Sequence, residues 1–341
     1  MKGHSRSFLL GMLLTLFAFG AGQLFYASRH PEAVEKSQDW STRQQIFSFE
    51  YPTGLSFAGE KVPVEDMEVH ERLDKELQVN AYWQSNMLLM LKKAHRWRPL
   101  ITRILKEEGV PEDFFYLALA ESGLSNLVSG KGAKGFWQFI PETAKQFDLT
   151  VNENIDERLD PVKATRAACK YLKESYNRFG SWTLAAAAYN MGNGGVSSAR
   201  KVQQVDSYYD LYLNQETSRY VFRILALKLI VSNPEEYGYR LYHRDLYQPI
   251  ETRRIQVDGT LPDLTAFALA MGSNYKMLKV LNPWLLQNRL TVETGKTYEI
   301  LLPEEKTTPP PKPTNFIDTL LPAGIYSDPP EEPYRKPDSF K

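Results

Sequence analysis

Along most of the chain, apolar and charged positions recur at helical spacing; the two ends break that pattern. Across residues 65–91, charged residues flank an apolar stripe at Met67, Leu73, Leu77, Tyr82 and Met87, which predicts helix. A second helical segment is expected over 97–106, with Gly109 as its stop. Pro111 fits the first position of the next helix, and Glu112 and Asp113 suit its first turn, where the helix dipole favours negative charge. Phe114, Leu117, Ala118 and Glu121 then fall at i, i+3, i+4 and i+7 on one face, while Phe115 and Leu119 make the opposite face apolar too. A helix apolar all round is a buried one. Asp160 followed by Pro161 reads as an N-cap and first position, with Gly180 ending that helix near Phe179. Ser181 caps an alanine-rich helix, and a further helix is expected over 216–231. No strand is expected between Glu65 and Asn233, so this part is predominantly α.

Past Pro249 the pattern changes: a short strand over 254–257, helices over 261–271 and 275–281, and a closing strand over 297–302 give a β-α-α-β unit. At the N-terminus, Lys2 and Arg6 precede an apolar run from Phe8 to Phe25, interrupted only by Gly11, Thr15, Gly20, Gly22 and Gln23. Small residues around Ala18–Gly22 offer a signal-peptide cleavage pattern, and the run is also at the short edge of a membrane span, so cleaved signal and uncleaved anchor both stand. No cysteine stands directly after the run, so a lipid-anchored lipoprotein is not expected. The expected organisation is therefore a signal peptide or anchor (1–27), a polar linker (28–61), a helical domain (62–249, core 105–200), the β-α-α-β module (250–303) and a Pro-rich, disordered tail (304–341). Within that tail, the apolar stretch 316–321 could dock onto the body.

Composition narrows the function. An apolar content of 43% supports a packed core, and the length allows two domains. Lys and Arg total 41 against 41 Asp and Glu, with no long basic run, which argues against a nucleic-acid partner. The lone Cys169 shares a helix face with Val162, Thr165, Leu172 and Tyr176 and reads as a small core residue. The outlier is Glu121, an acid among apolar residues. Burial raises a carboxyl pKa, the condition for a general acid at neutral pH; the structural alternative is a glutamate paired with an arginine.

Three strings occur in order: Glu121-Ser122, then Gly135-Phe136-Trp137-Gln138, then Ala188-Tyr189-Asn190. Together they resemble the signature motifs of the lytic transglycosylase (SLT) catalytic domain over roughly residues 65–233, the Trp form of the second resembling the membrane-bound D branch. The resemblance implies a lysozyme-like helical catalytic domain that acts on peptidoglycan glycan strands, with no cofactor and no metal, and a monomer is expected. It implies Glu121 as general acid and then base, with Tyr189 orienting it and Asn190 facing the groove. Gln138 would offer its amide to the acetamido group or a sugar hydroxyl, with Ser122 and Ser129 as hydrogen-bonding residues near the acid. Trp137 could stack on a sugar or pack in the core. The module, with Asn282-Pro283 after its second helix and Gly295 before its last strand, resembles a degenerate LysM module. Glycan binding and bracing of the catalytic domain both stand for it. Two other functions remain open: a hydrolytic muramidase, which needs a second carboxylate near Glu142, Glu153, Asp156, Glu157 or Asp160, and a wall-binding protein without catalysis. Export places the body in the periplasm or cell envelope, with membrane association through the N-terminus as an option.

Overall fold

The stretch expected to be a polar tether ends in core residues. The computed structural model describes residues 46–304 and 325–326; the signal or anchor, the start of the linker and the rest of the tail lie outside the described residues. Leu55, Phe57 and Val62 are buried, and a hairpin of Ser56–Phe57 (β1) and Glu60–Lys61 (β2) turns through Ala58 and Gly59. Polar residues there have structural partners. The Glu60 carboxylate accepts from Ser181 Oγ (2.8 Å), Trp182 N (2.5 Å) and Thr183 N (2.9 Å), while Ala58 N donates to Asp113 at 2.7 Å. The linker expectation is thus corrected at its C-terminal end: hydrophilic residues there cap helices.

The helical domain follows as Met67–Tyr82 (α1), Gln84–Glu107 (α2), Phe114–Ser122 (α3), Pro141–Gln146 (α4), Pro161–Phe179 (α5), Trp182–Met191 (α6), Asn193–Gln203 (α7) and Gln215–Ser232 (α8). The caps of α5 and α6 are those expected: Asp160 Oδ1 accepts from Val162 N and Lys163 N, Gly180 stands at φ 68°, and Ser181 accepts from Leu184 N. The break in the first helical stretch falls at Trp83 (φ −81°, ψ 60°), and α2 then runs on through Pro99. Helices α4 and α7 were not expected. The buried middle is α3, whose residues Phe114 to Leu119 are all inaccessible, packed against α8 and α2. Cys169 is buried and its thiol pushed up to about 12 by desolvation, as a core residue should be.

After α8 the chain passes Leu241–Tyr242 (β3) and forms the module: Thr252–Val257 (β4), Leu264–Ala270 (α9), Tyr275–Leu281 (α10) and Tyr298–Pro303 (β5), with β4 and β5 antiparallel. Asn282, fully buried, ties it together: its amide donates to Leu278 O (2.8 Å) and Leu301 O (2.6 Å) and accepts from Leu301 N (2.8 Å). Ile325–Tyr326 (β6) pairs in parallel with β3, so one point of the expected disordered tail is fixed by an open strand edge. Among the described residues no helix is long and apolar enough to cross a membrane.

The module is docked on the helical domain. Ile155 joins its core with Leu264, Leu278, Trp284 and Leu285, and backbone bonds run from Asp156 N to Trp284 O and from Leu286 N to Asn154 O, both 3.0 Å. A chain ending at Pro249 is therefore expected to unfold at a lower temperature than the full chain. It loses an apolar seat for Ile155, worth ~2 kcal/mol on burial grounds. Equal midpoints for the two chains in thermal unfolding would contradict the bracing.

Candidate active site

Gly123 fixes where α3 ends. At φ 56° its N–H bonds Leu119 O at 2.9 Å, so Glu121 and Ser122 occupy the last turn, at the lip of the core. Lys93 on α2 braces the loop beyond, donating to Ser125 Oγ at 2.5 Å and Gly123 O at 3.4 Å. Glu121 is half-buried.

Desolvation pushes the Glu121 carboxyl up from 4.5 to about 7. The hydroxyl of buried Tyr220 on α8 donates to Oε1 and, with the positive charge of Arg223, pulls the other way; the charge of Glu216 adds to the rise. Tyr220 itself is held well above its usual pKa by burial and by Glu121, so it remains a donor. Among the described residues Glu121 has no ion-pair partner. The nearby guanidiniums serve Glu76, a buried acid on α1 that Arg219 meets at 2.5 Å and Arg223 at 3.7 Å. Glu121 is therefore not the arginine-paired structural glutamate that its sequence context also allowed.

The second string forms a strained turn against this helix. Gly135 stands at φ 80°, and a Cβ there would lie 1.9 Å from Arg158 O, so only glycine fits. Arg158 is buried and organises the turn from behind: Nε and Nη2 grip Asp156 at 2.8 Å each, and Nη1 donates to Gly132 O (2.8 Å) and Phe139 O (3.0 Å). Gln138, at φ 48°, turns its Nε2 inward to Gly135 O (2.8 Å) and Leu127 O (3.2 Å), so its amide donors hold the loop. Trp137 is a core residue: wholly buried, it donates Nε1 to Thr165 Oγ1 at 2.9 Å. Ser122 is buried as well, and its hydroxyl donates to Phe136 O at 2.9 Å, joining α3 to this turn. Ser129 shapes the loop before it, accepting from Ala133 N (3.0 Å) and Lys131 N (3.3 Å).

The third string lies at the end of α6. Tyr189 does not bond the acid: its hydroxyl donates to Trp137 O at 2.8 Å, and the ring packs edge-on to Trp137, Phe139 and Tyr171. It still senses Glu121, whose charge adds to the upward shift that burial imposes on the phenol. The hydroxyl bonded to Glu121 is that of Tyr220. Asn190 accepts from Thr217 Oγ1 at 2.7 Å and donates to Glu216 at 3.3 Å, joining α6 to the start of α8. Most polar atoms of the expected site residues thus bond the surrounding scaffold.

The carboxylates considered as a second acid are committed or exposed. Asp156 is salt-bridged to Arg158 and to Lys134 (3.2 Å), Glu157 bonds Thr150 N and Lys163, Asp160 caps α5, and Glu142 and Glu153 are exposed. The carboxylate whose charge reaches Glu121 is Glu216, which was not expected. Its signal was present: Glu216, Arg219, Tyr220 and Arg223 form a polar stripe at i, i+3, i+4 and i+7 on an otherwise buried helix.

Residues 99–211 match the transglycosylase SLT domain and residues 253–306 the soluble lytic transglycosylase C-terminal LysM-like domain. Over 195 residues the chain is 32% identical to membrane-bound lytic murein transglycosylase D of Escherichia coli K12, covering 54% of this chain and 42% of that protein. It is 33% identical over 124 residues to membrane-bound lytic murein transglycosylase F of Shewanella loihica, covering 33% and 24%. The chain thus spans less than half the length of these relatives. The 70 kDa soluble lytic transglycosylase of Escherichia coli aligns over 60% of this chain and 44% of its own, at 18% identity and a TM-score of 0.36.

Proposed function

Because the chain carries a transglycosylase SLT domain and a LysM-like domain and is homologous to membrane-bound lytic murein transglycosylase D, we propose that it is a lytic transglycosylase of peptidoglycan. The bond cleaved is the β-1,4 link from N-acetylmuramic acid to N-acetylglucosamine, in the cell envelope, with the N-terminal apolar run as export signal or anchor. The observation that carries the reading is Glu121, a single acid raised to about 7 and held by a tyrosine hydroxyl.

Protonated at neutral pH, Glu121 donates its proton to the glycosidic oxygen as the C1–O bond breaks. The 2-acetamido group of the same sugar shelters the positive charge developing at C1. The Glu121 carboxylate, stabilised by the Tyr220 hydroxyl, then takes the proton of the C6 hydroxyl as that oxygen attacks C1. A 1,6-anhydro end results, and the acid is regenerated. The nucleophile belongs to the substrate, so it acts at high effective molarity and no second carboxylate is needed.

Digestion of purified sacculi in water labelled with heavy oxygen tests this. The expected muropeptides carry 1,6-anhydro-N-acetylmuramic ends, one water lighter than hydrolysis products and free of label. Label at C1 would mean hydrolysis. The residue to examine as base would then be Glu216, the carboxylate that influences Glu121, and not those over 142–160.

Tyr220→Phe separates positioning from packing. Losing the hydroxyl removes a bond that lowers the Glu121 pKa, so the acid rises further above 7. The expected result is a ~10–100-fold slower turnover with the pH optimum moved upward. An unmoved pH profile at reduced rate would make Tyr220 a packing residue only.

A further inference from the structure

A concavity lies where the module meets the helical domain. It encloses about 330 Å³, and Glu121 is not among its lining residues. Its walls are mainly apolar: Trp97 and Phe136, edge to face at 5.0 Å, on one side, and Val280, Leu281 and Trp284 of the module on the other. Such walls hold water poorly, and an apolar cavity with few polar groups at a domain boundary is the usual form of a small-molecule site.

The charged groups on the lining are unequal in what they have left to offer. Arg254 faces Glu299 at 3.5 Å; Lys163 is held by Glu157 and lies over the Trp284 ring; Asp160 spends Oδ1 on the α5 cap. Arg96 donates Nε to Gln248 O at 2.9 Å and lies over the Tyr247 ring at 5.3 Å. Its terminal nitrogens make no further hydrogen bond among the described residues. With Arg254 and Lys163 each facing an acid, Arg96 is the cation with donors to spare, and such a guanidinium favours a planar carboxylate.

The geometry points to this cavity as the binding site of a small amphiphilic anion, its carboxylate on Arg96 and its apolar body between Trp97, Phe136 and Trp284. A cavity of about 330 Å³ stands at the small end of ligand pockets and suits a ligand of modest size. Octanoate has that size and chemistry. Such a ligand touches both the module and Phe136, whose carbonyl receives the Ser122 hydroxyl next to Glu121. Occupancy would therefore fasten the module to the turn behind the acid.

The test is calorimetric titration of the full chain with octanoate, octanol and butyrate in detergent-free buffer. Octanoate should saturate a single site, octanol should bind at least ~10-fold more weakly for want of the charge-assisted bond, and butyrate should give no measurable heat. Arg96→Gln should bring octanoate down to the level of octanol and leave octanol unchanged. Val280→Trp, on the exposed rim, should block both; if that variant fails to fold, Leu281→Phe fills the same wall. Equal affinity for octanoate and octanol, an undiminished preference in Arg96→Gln, or binding that survives filling of the cavity in a folded variant would each overturn the proposal.

Discussion

Replacing Glu121 by glutamine is expected to lower release of muropeptides from sacculi by ~10³-fold or more, because an amide can neither give nor take the proton. The fold should persist, and at neutral and higher pH it should be firmer. Burial raises the folded-state pKa of Glu121 from 4.5 to about 7. The folded chain therefore binds this proton more tightly than the unfolded chain does. Below about 4.5 both states are protonated and the acid costs nothing by this route; as pH rises from there through 7, stability relative to the glutamine variant is lost. The gap between the two unfolding midpoints should accordingly widen between pH 4 and pH 8, in favour of Glu121→Gln. Retained cleavage in a folded variant would remove Glu121 from the chemistry; a gap that does not change with pH would mean that its carboxyl is not desolvated as the structure has it.

What could be read from the sequence follows from where the information is local. The caps Asp160 and Ser181 and the stop Gly180 act on N–H and C=O groups a few residues away, so the bounds of α5 and the start of α6 were legible. The β-α-α-β order of the module was legible by the same route, as was Cys169 as a core residue. The break at Trp83 carries no such signal, since a charged and apolar pattern continues across it. The tether reading failed at 49–61 because the partners of its polar residues lie far along the chain: Glu60 meets α6, and Ala58 meets Asp113. Within the site, Glu121 stood out because an acid in an apolar helix is a local contradiction. Its actual hydrogen-bond partner did not, because Tyr220 lies 99 positions away on another helix. Tyr189, Gln138 and Ser122 turn their polar atoms onto the scaffold, and the direction of a side chain is decided by packing that no motif states.

Gly135→Ala is expected to be the most damaging small substitution outside the acid itself. Two costs combine. At φ 80° any Cβ is strained, by ~1–2 kcal/mol. The second cost is specific: the new methyl would sit 1.9 Å from Arg158 O, a backbone atom of a residue whose guanidinium is tied to Asp156, Gly132 O and Phe139 O. Either the 135–138 turn or the Asp156–Arg158 segment must move. Movement of the turn displaces Phe136 O from the Ser122 hydroxyl and Trp137 O from Tyr189. Gly132→Ala is the matched control. Its φ is 75°, so the backbone strain is similar, but nothing lies within 4 Å of its Cβ. Gly132→Ala should therefore show a small drop in unfolding midpoint with cleavage largely kept. Gly135→Ala should show a drop several times larger, with cleavage reduced ~100-fold or more, as misplacement near a reacting centre by about 1 Å does. If the two variants lose the same stability and activity, the approach of Arg158 O is not what demands glycine, and the turn is looser than its contacts imply.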